Sequence, residues 1–268
     1  MTLRWVPGWN GLTEPEAVSY VAAVEAADDQ DLEFGVARAI NDFVVGCKND
    51  GIWDAIKACC ILAGARTTNG ALVPLVGTAP TPYNFDLVGD TDYDRKTGLK
   101  GNGSTKYLDS NRAGNAQSGS NLHLSTYATT PLSNNAITIG STAIGTPTSS
   151  NGVFVLSPSS YIYANSPSGA AASASQLAIT GAGFYGSSRS DGTTLSARHA
   201  GTPQTKTVST GTLPAASFYV FADNLVGTGA RLYTSARLSF YSIGESLDLA
   251  LLDTRVSNLM TAIGAAIP

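Results

Sequence analysis

The sequence predicts a mainly β protein, a sandwich or barrel of many short strands, with helices at its N-terminal end and one helix at its C-terminus. Three observations carry that expectation. From Ala71 onward, short runs of β-branched and aromatic residues alternate with Gly, Pro, Asn and Ser. Helical spacing is confined to the two ends of the chain. Charged residues make up 13% of the 268, against about 25% in an ordinary soluble domain, so Ser, Thr, Asn, Gly and Tyr must cover the surface.

The N-terminal elements come first. Thr13-Glu14-Pro15-Glu16 has capping-box spacing with a proline in the first turn, so a helix begins near Glu14. After the acidic break at 28–31, Leu32, Val36, Ile40, Phe43, Val44 and Cys47 line one face of a second helix. Lys48 and Gly51 close it, the glycine taking a left-handed cap. Ile52, Trp53, Ile56, Cys60 and Ala63 then predict a third short helix ending at Gly64. Residues 1–70 therefore read as a helical attachment segment.

Residues 71–244 read as the β-sandwich. Expected strands are 72–76, 121–127, 136–139, 153–156, 161–163, 176–180, 194–197, 205–209, 218–222 and 231–241. The Ser- and Ala-rich stretch 166–175 offers little to bury and reads as a loop. Residues 245–268 return to helical rhythm, with Ser246 as the expected cap and Leu252, Val256, Leu259 and Ile263 on one face. That stripe is under two heptads, which favours docking on the sandwich over a coiled coil.

Composition and motifs exclude several functions. A net charge of −4 supplies no positive field for nucleic acid or anionic lipid. No apolar run is long enough to span a bilayer, and the start lacks a secretory signal pattern. Cys47, Cys59 and Cys60 lie far from His123 and His199 and read as buried thiols, neither zinc ligands nor a disulfide framework. Gly181-Ala182-Gly183-Phe184-Tyr185-Gly186 fits GxGxxG, but no helical pattern follows, so a glycine-rich bend is expected. His123 reads as a strand histidine on a polar face.

Asp90, Asp92 and Asp94 stand at alternate positions, like the first half of a calcium loop. Arg95 occupies the glycine position and no Glu follows at the twelfth, so the expectation is no cofactor, with a looser calcium site as the open alternative. Glycosidases usually hold two carboxyls across the scissile bond. Glutamate occurs here at 14, 16, 25, 33 and 245, all outside the β body, and Asp109, Asp191 and Asp223 are widely scattered within it. The chain is expected not to be an enzyme. Tyrosines suit binding better than chemistry: Tyr161, Tyr163 and Tyr185 are the leading glycan-stacking candidates, with Tyr219 and Tyr233 in similar strand positions.

Segment 92–108, from Asp92-Tyr93-Asp94-Arg95 through Gly98, Gly101 and Gly103 to Tyr107-Leu108, resembles a stretch recurring in tailed-phage proteins, notably of marine hosts. Segment 39–56 resembles the helical lead-in of that group, and 240–247 its closing strand. The resemblance implies a concanavalin A-like (jelly-roll) or laminin G-like β-sandwich and no reaction. It implies a virion structural protein, made in the host cytoplasm, seated among other virion proteins as a head decoration or a tail or fibre component. By analogy a trimer is expected. Trp5 and Trp9, outside the resemblance, are the expected attachment anchors. A module recognising host surface glycan and a polysaccharide depolymerase remain the alternatives.

Overall fold

The computed structural model describes residues 11–132, 136–143, 181–207, 211 and 213–268 in full, and the backbone of 149–155, 160–167 and 175–176. Trp5 and Trp9 lie outside the described residues. The chain folds as three layers: helices, a middle sheet and an outer sheet. The expected two-sheet β-sandwich with helices at both ends is present.

The middle sheet runs in the order Thr202–Thr207 (β14), Thr194–His199 (β13), Gly183–Arg189 (β12), Leu122–Ala128 (β7), Arg237–Gly244 (β18), Ile56–Ile61 (β1), Pro74–Val76 (β2). Gly98–Lys100 (β5) pairs beside β18, and Tyr93–Asp94 (β4) pairs with β5. The outer sheet runs Ser175–Gln176 (β11), Ser160–Pro167 (β10), Ser149–Val155 (β9), Ala136–Thr142 (β8), Ser217–Val220 (β15), Tyr107–Ala113 (β6), Thr81–Tyr83 (β3). Asp223–Leu225 (β16) lies parallel to β8 and antiparallel to Gly229–Arg231 (β17).

Helices Pro15–Asp28 (α1), Phe34–Asn49 (α2) and Leu249–Ala266 (α4) cover the far side of the middle sheet, while the short Thr68–Ala71 (α3) joins β1 to β2. The face expected for α2 is buried throughout, and so are Leu252, Val256, Leu259 and Ile263 of α4. Gly51, at φ 70°, takes the left-handed turn after α2. The capping details differ from expectation. Thr13 does not close a box on Glu16; its backbone N–H donates to Asn41 Oδ1 at 2.8 Å. Asp248, not Ser246, caps α4, accepting from Ala250 N at 2.7 Å, while Ser246 Oγ donates to Asn121 Oδ1 at 2.7 Å.

The expected third helix is a correction. Residues 53–55 form a single 3-10 turn, and Ile56–Ile61 is a strand deep in the middle sheet. The sandwich thus begins at Ile56, ahead of Ala71. The physical reason is double cover. Ile56, Cys59 and Ile61 face the helices, while Ala58, Cys60 and Leu62 face the outer sheet. A strand buried on both faces is apolar at consecutive positions, and that run also satisfies a helical template.

The expected bend at 181–186 is present only at residues 181–182. Gly183 opens β12, which pairs with β7 through Arg189 ↔ Leu122. Gly186 lies under both the Phe184 ring and the start of α4: a Cβ there would stand 2.6 Å from Phe184 Cε1 and 2.9 Å from Leu249 Cδ2. The three thiols are free and buried, as the composition suggested.

Candidate functional site: a tyrosine bank on the outer sheet

Alternation along β3, β6 and β15 separates two sets of side chains. Leu108, Phe218 and Val220 point into the inter-sheet core. Tyr83, Tyr107 and Tyr219 therefore point outward. Tyr83 pairs directly with Tyr107 across β3 and β6, and their rings stack with centroids 4.4 Å apart and planes 5° from parallel. Tyr219 packs against the other side at a tilt, 4.5 Å from Tyr107 with planes 32° apart. Tyr233 closes one side at 6.2 Å from Tyr107, its hydroxyl donating to Ala230 O at 3.1 Å. Tyr83, on the edge strand, keeps 41% of its surface exposed.

Polar groups sit in the adjoining row. Asp109 pairs with Thr81 on one side and Tyr219 on the other. One carboxylate oxygen accepts from Asn111 N at 2.8 Å, and Asn111 Nδ2 donates to Thr81 Oγ1 at 3.0 Å. Partial burial, followed by the neighbouring tyrosines, pushes the Tyr107 phenol up to about 12. Tyr219 is raised, first by burial and then by the Asp109 charge. Both phenols are neutral hydrogen-bonding groups at physiological pH.

Of the glycan-stacking candidates, Tyr185 is corrected. It is fully buried between the sheets, stacked on His199 at 4.1 Å, with its hydroxyl donating to Gly181 O. Tyr161 and Tyr163 lie on β10, in register with Phe154 and Gly152; their side chains lie outside the described residues. Tyr163 nonetheless shares a cross-strand row with the bank, through Gly152 ↔ Gly140 and Gly140 ↔ Tyr219. Sequence reasoning singled out Tyr219 and Tyr233 but missed Tyr83 and Tyr107. The alternation Tyr107, Leu108, Asp109, Ser110 carried the signal for the second. Pro82 concealed the first, because proline is tolerated in a strand when that strand is an edge.

Asp90, Asp92 and Asp94 do not converge on a metal position, and no group of three His, Cys, Asp or Glu suited to one occurs among the described residues. Asp90 accepts from Thr68 N at 2.7 Å. Asp92 accepts from Asp86 N at 2.9 Å and pairs with Lys106. Asp94 accepts from Thr97 Oγ1 at 2.6 Å, and that bond leads the lowering of its pKa. Arg95, at the glycine position of a calcium loop, instead grips Glu33 at 2.6 and 3.0 Å, tying this loop to the start of α2.

His123 is a further correction: its face of β7 lies under cover and not in water. It is wholly buried, with Nδ1 donating to Glu245 O at 2.6 Å. A neutral ring then accepts at Nε2 from Ser242 Oγ, 2.9 Å away, and Ser125 Oγ lies 2.7 Å from Ser242 Oγ. Burial pushes the His123 pKa down to about 4. Its role is structural, since both ring nitrogens are used within the fold.

The acids of the β body are separately engaged. Asp223 is buried, with Arg231 Nε 2.8 Å away and Thr142 Oγ1 donating at 2.9 Å. Asp191 accepts from Thr193 N at 2.7 Å within its own turn. A groove of about 490 Å³ between α1 and β2 contains one carboxylate, Glu16, which Lys48 holds at 2.7 Å.

Fold and surface together define a two-sheet β-sandwich with a helical layer on one side and an aromatic bank on the other. No protein-family model matches the chain, and no curated protein matches it. Among solved structures it is similar to a Trypanosoma rangeli sialidase in complex with 2,3-difluorosialic acid, a covalent intermediate. The identity is 15% and the TM-score 0.35, over 85% of this chain and 40% of the sialidase. The chain thus spans less than half the length of that structure. No helix among the described residues is long and apolar enough to cross a membrane.

Proposed function

We propose that the chain is a non-enzymatic structural protein of a tailed-phage particle, a head decoration or a tail or fibre component, that displays its lectin-like sandwich outward. The observation that carries the reading is the one-sidedness of the sandwich. Helices α1, α2 and α4 share a core with the middle sheet, whereas β3, β6 and β15 of the outer sheet present tyrosines on their outward side. A module attached through its N-terminal helices would turn that second face to the medium. The resemblance of segments 39–56, 92–108 and 240–247 to tailed-phage proteins supports the same reading.

The experiment is localisation. Peptide mass spectrometry of purified particles should find the chain at a fixed copy number, and reconstruction of the particle should show its sandwich at the surface. Absence from washed particles overturns the proposal. A trimer is the expected assembly, and a monomeric mass in light scattering counts against it. Release of reducing ends from host capsule by the purified protein would replace the structural reading with a depolymerase.

A further inference from the structure

We infer that the bank formed by Tyr83, Tyr107, Tyr219 and Tyr233 is a binding surface for an uncharged polysaccharide chain. The inference deepens the displayed-sandwich reading by naming what the displayed face holds. A saccharide ring needs two things from a protein: a flat apolar surface for its C–H face, and hydrogen-bonding groups at the rim for its hydroxyls. The bank supplies both. Its rings line up across three strands, Tyr83 stacked on Tyr107 at 4.4 Å and Tyr219 tilted against Tyr107 at 4.5 Å, and the row ends at Tyr83, whose 41% exposure is the largest in the group.

A sugar placed against Tyr83 extends that stack by one more ring. In the adjoining cross-strand row stand Thr81 Oγ1 and the Asp109 carboxylate oxygen not used by Asn111. A carboxylate beside an aromatic face is well suited to sugar hydroxyls, because it accepts charge-assisted hydrogen bonds from neutral donors.

Charge selects the class of sugar. The two cations that flank the bank in sequence are both committed, Lys106 to Asp92 and Arg231 to the buried Asp223. Asp109 is the charge that the bank itself presents. An acidic sugar would meet that carboxylate with no uncommitted cation among the described residues of the bank to offset it, so a neutral polysaccharide fits and a sialylated or uronic-acid chain does not.

The test is native affinity electrophoresis of the purified full chain. Gels would carry dextran, mannan, galactan or a β-glucan as neutral polymers, and alginate or polysialic acid as anionic ones. Retardation is expected in at least one neutral gel and in neither anionic gel. Tyr83→Ala should weaken it by about tenfold or more, the scale of one aromatic contact, whereas Tyr83→Phe should hold within about threefold because the ring persists. Tyr83 is exposed, so both variants are expected to fold, and an unchanged far-UV spectrum and thermal transition check this.

Migration unaltered by every neutral polymer, retardation only in anionic gels, or equal retardation of wild type and Tyr83→Ala would each overturn the inference. So would a concentration-dependent self-association lost in Tyr83→Ala, which would assign the bank to a second copy of the chain. Failure here is distinct from failure of the particle reading. A chain found in particles but blind to neutral polymers removes only the ligand, and a chain that binds them but is absent from particles removes only the location.

Discussion

Two strands, β18 of the middle sheet and β6 of the outer sheet, differ in what lies against their outer sides. β18, in the middle sheet, is buried at every position after Arg237, because helices press on one face and the outer sheet on the other. β6, in the outer sheet, buries Leu108 and Ser110 and leaves Tyr107, Asp109 and Asn111 partly or fully open. The number of covered faces therefore sets the sequence pattern of a strand. Two covers erase the period-two signal, and one cover preserves it.

The contrast between the sheets is testable by truncation. Phe240 is fully buried under the helices, meeting Phe43 edge-on at 5.8 Å. Phe240→Ala is expected to cost about 3–5 kcal/mol, the range for a large side chain removed from a packed core. Tyr219→Ala, on the open side, should cost about 1 kcal/mol. Urea unfolding of the two variants measures the gap, and equal losses would mean that the outer face is covered too.

A second measurement probes the covered face through its histidine. The folded pKa of His123 lies at about 4 and the unfolded value near 6.5. Between them the unfolded chain binds the proton that the folded chain refuses. The contribution of His123 is thus complete above pH 6.5 and is lost progressively as pH falls toward 4, by up to about 3 kcal/mol. His123→Gln should flatten that part of the pH–stability curve relative to wild type. Parallel curves for the two proteins would show that the ring is not sealed from water.

The same rule explains what the sequence made legible. α2 and α4 each have one covered face, so their apolar stripes stood out at Val36, Ile40 and Phe43 and at Leu252, Val256 and Ile263. β1 and β12 were hidden for opposite reasons. In β1 consecutive apolar residues imitated a helix, and in β12 Gly186, Ser187 and Ser188 imitated a loop, although Gly186 lies against Phe184 and Leu249 and Ser188 Oγ donates to Leu247 O. Site residues followed suit. Tyr185 and Tyr219 look alike as strand tyrosines, and which side each faces depends on register with β7 and β6, which local pattern does not encode.

Helix capping gives the third expected effect, smaller because it involves one exposed side chain. Asp248 accepts from Ala250 N at 2.7 Å and Leu251 N at 3.3 Å, satisfying amides that the start of α4 would leave unpaired. Asp248→Ala should destabilise by about 1 kcal/mol in urea unfolding. A change well below that would mean that packing on α2 and β12 alone holds the first turn of α4.

The smallest effect bears most directly on the open face. A double-mutant cycle of Tyr83→Ala and Tyr107→Ala isolates the stacking between two rings 4.4 Å apart. Such pairs contribute about 0.5–1.5 kcal/mol beyond area burial, and an edge-strand position with one ring largely in water belongs near the lower end of that range. A coupling of about 0.5 kcal/mol would mean that the fold gains little from lining up these rings. Their alignment would then need a reason outside stability, which a ligand supplies. A coupling above about 1.5 kcal/mol would reverse that inference, because the stack would then rank with the helix-covered core as a structural element.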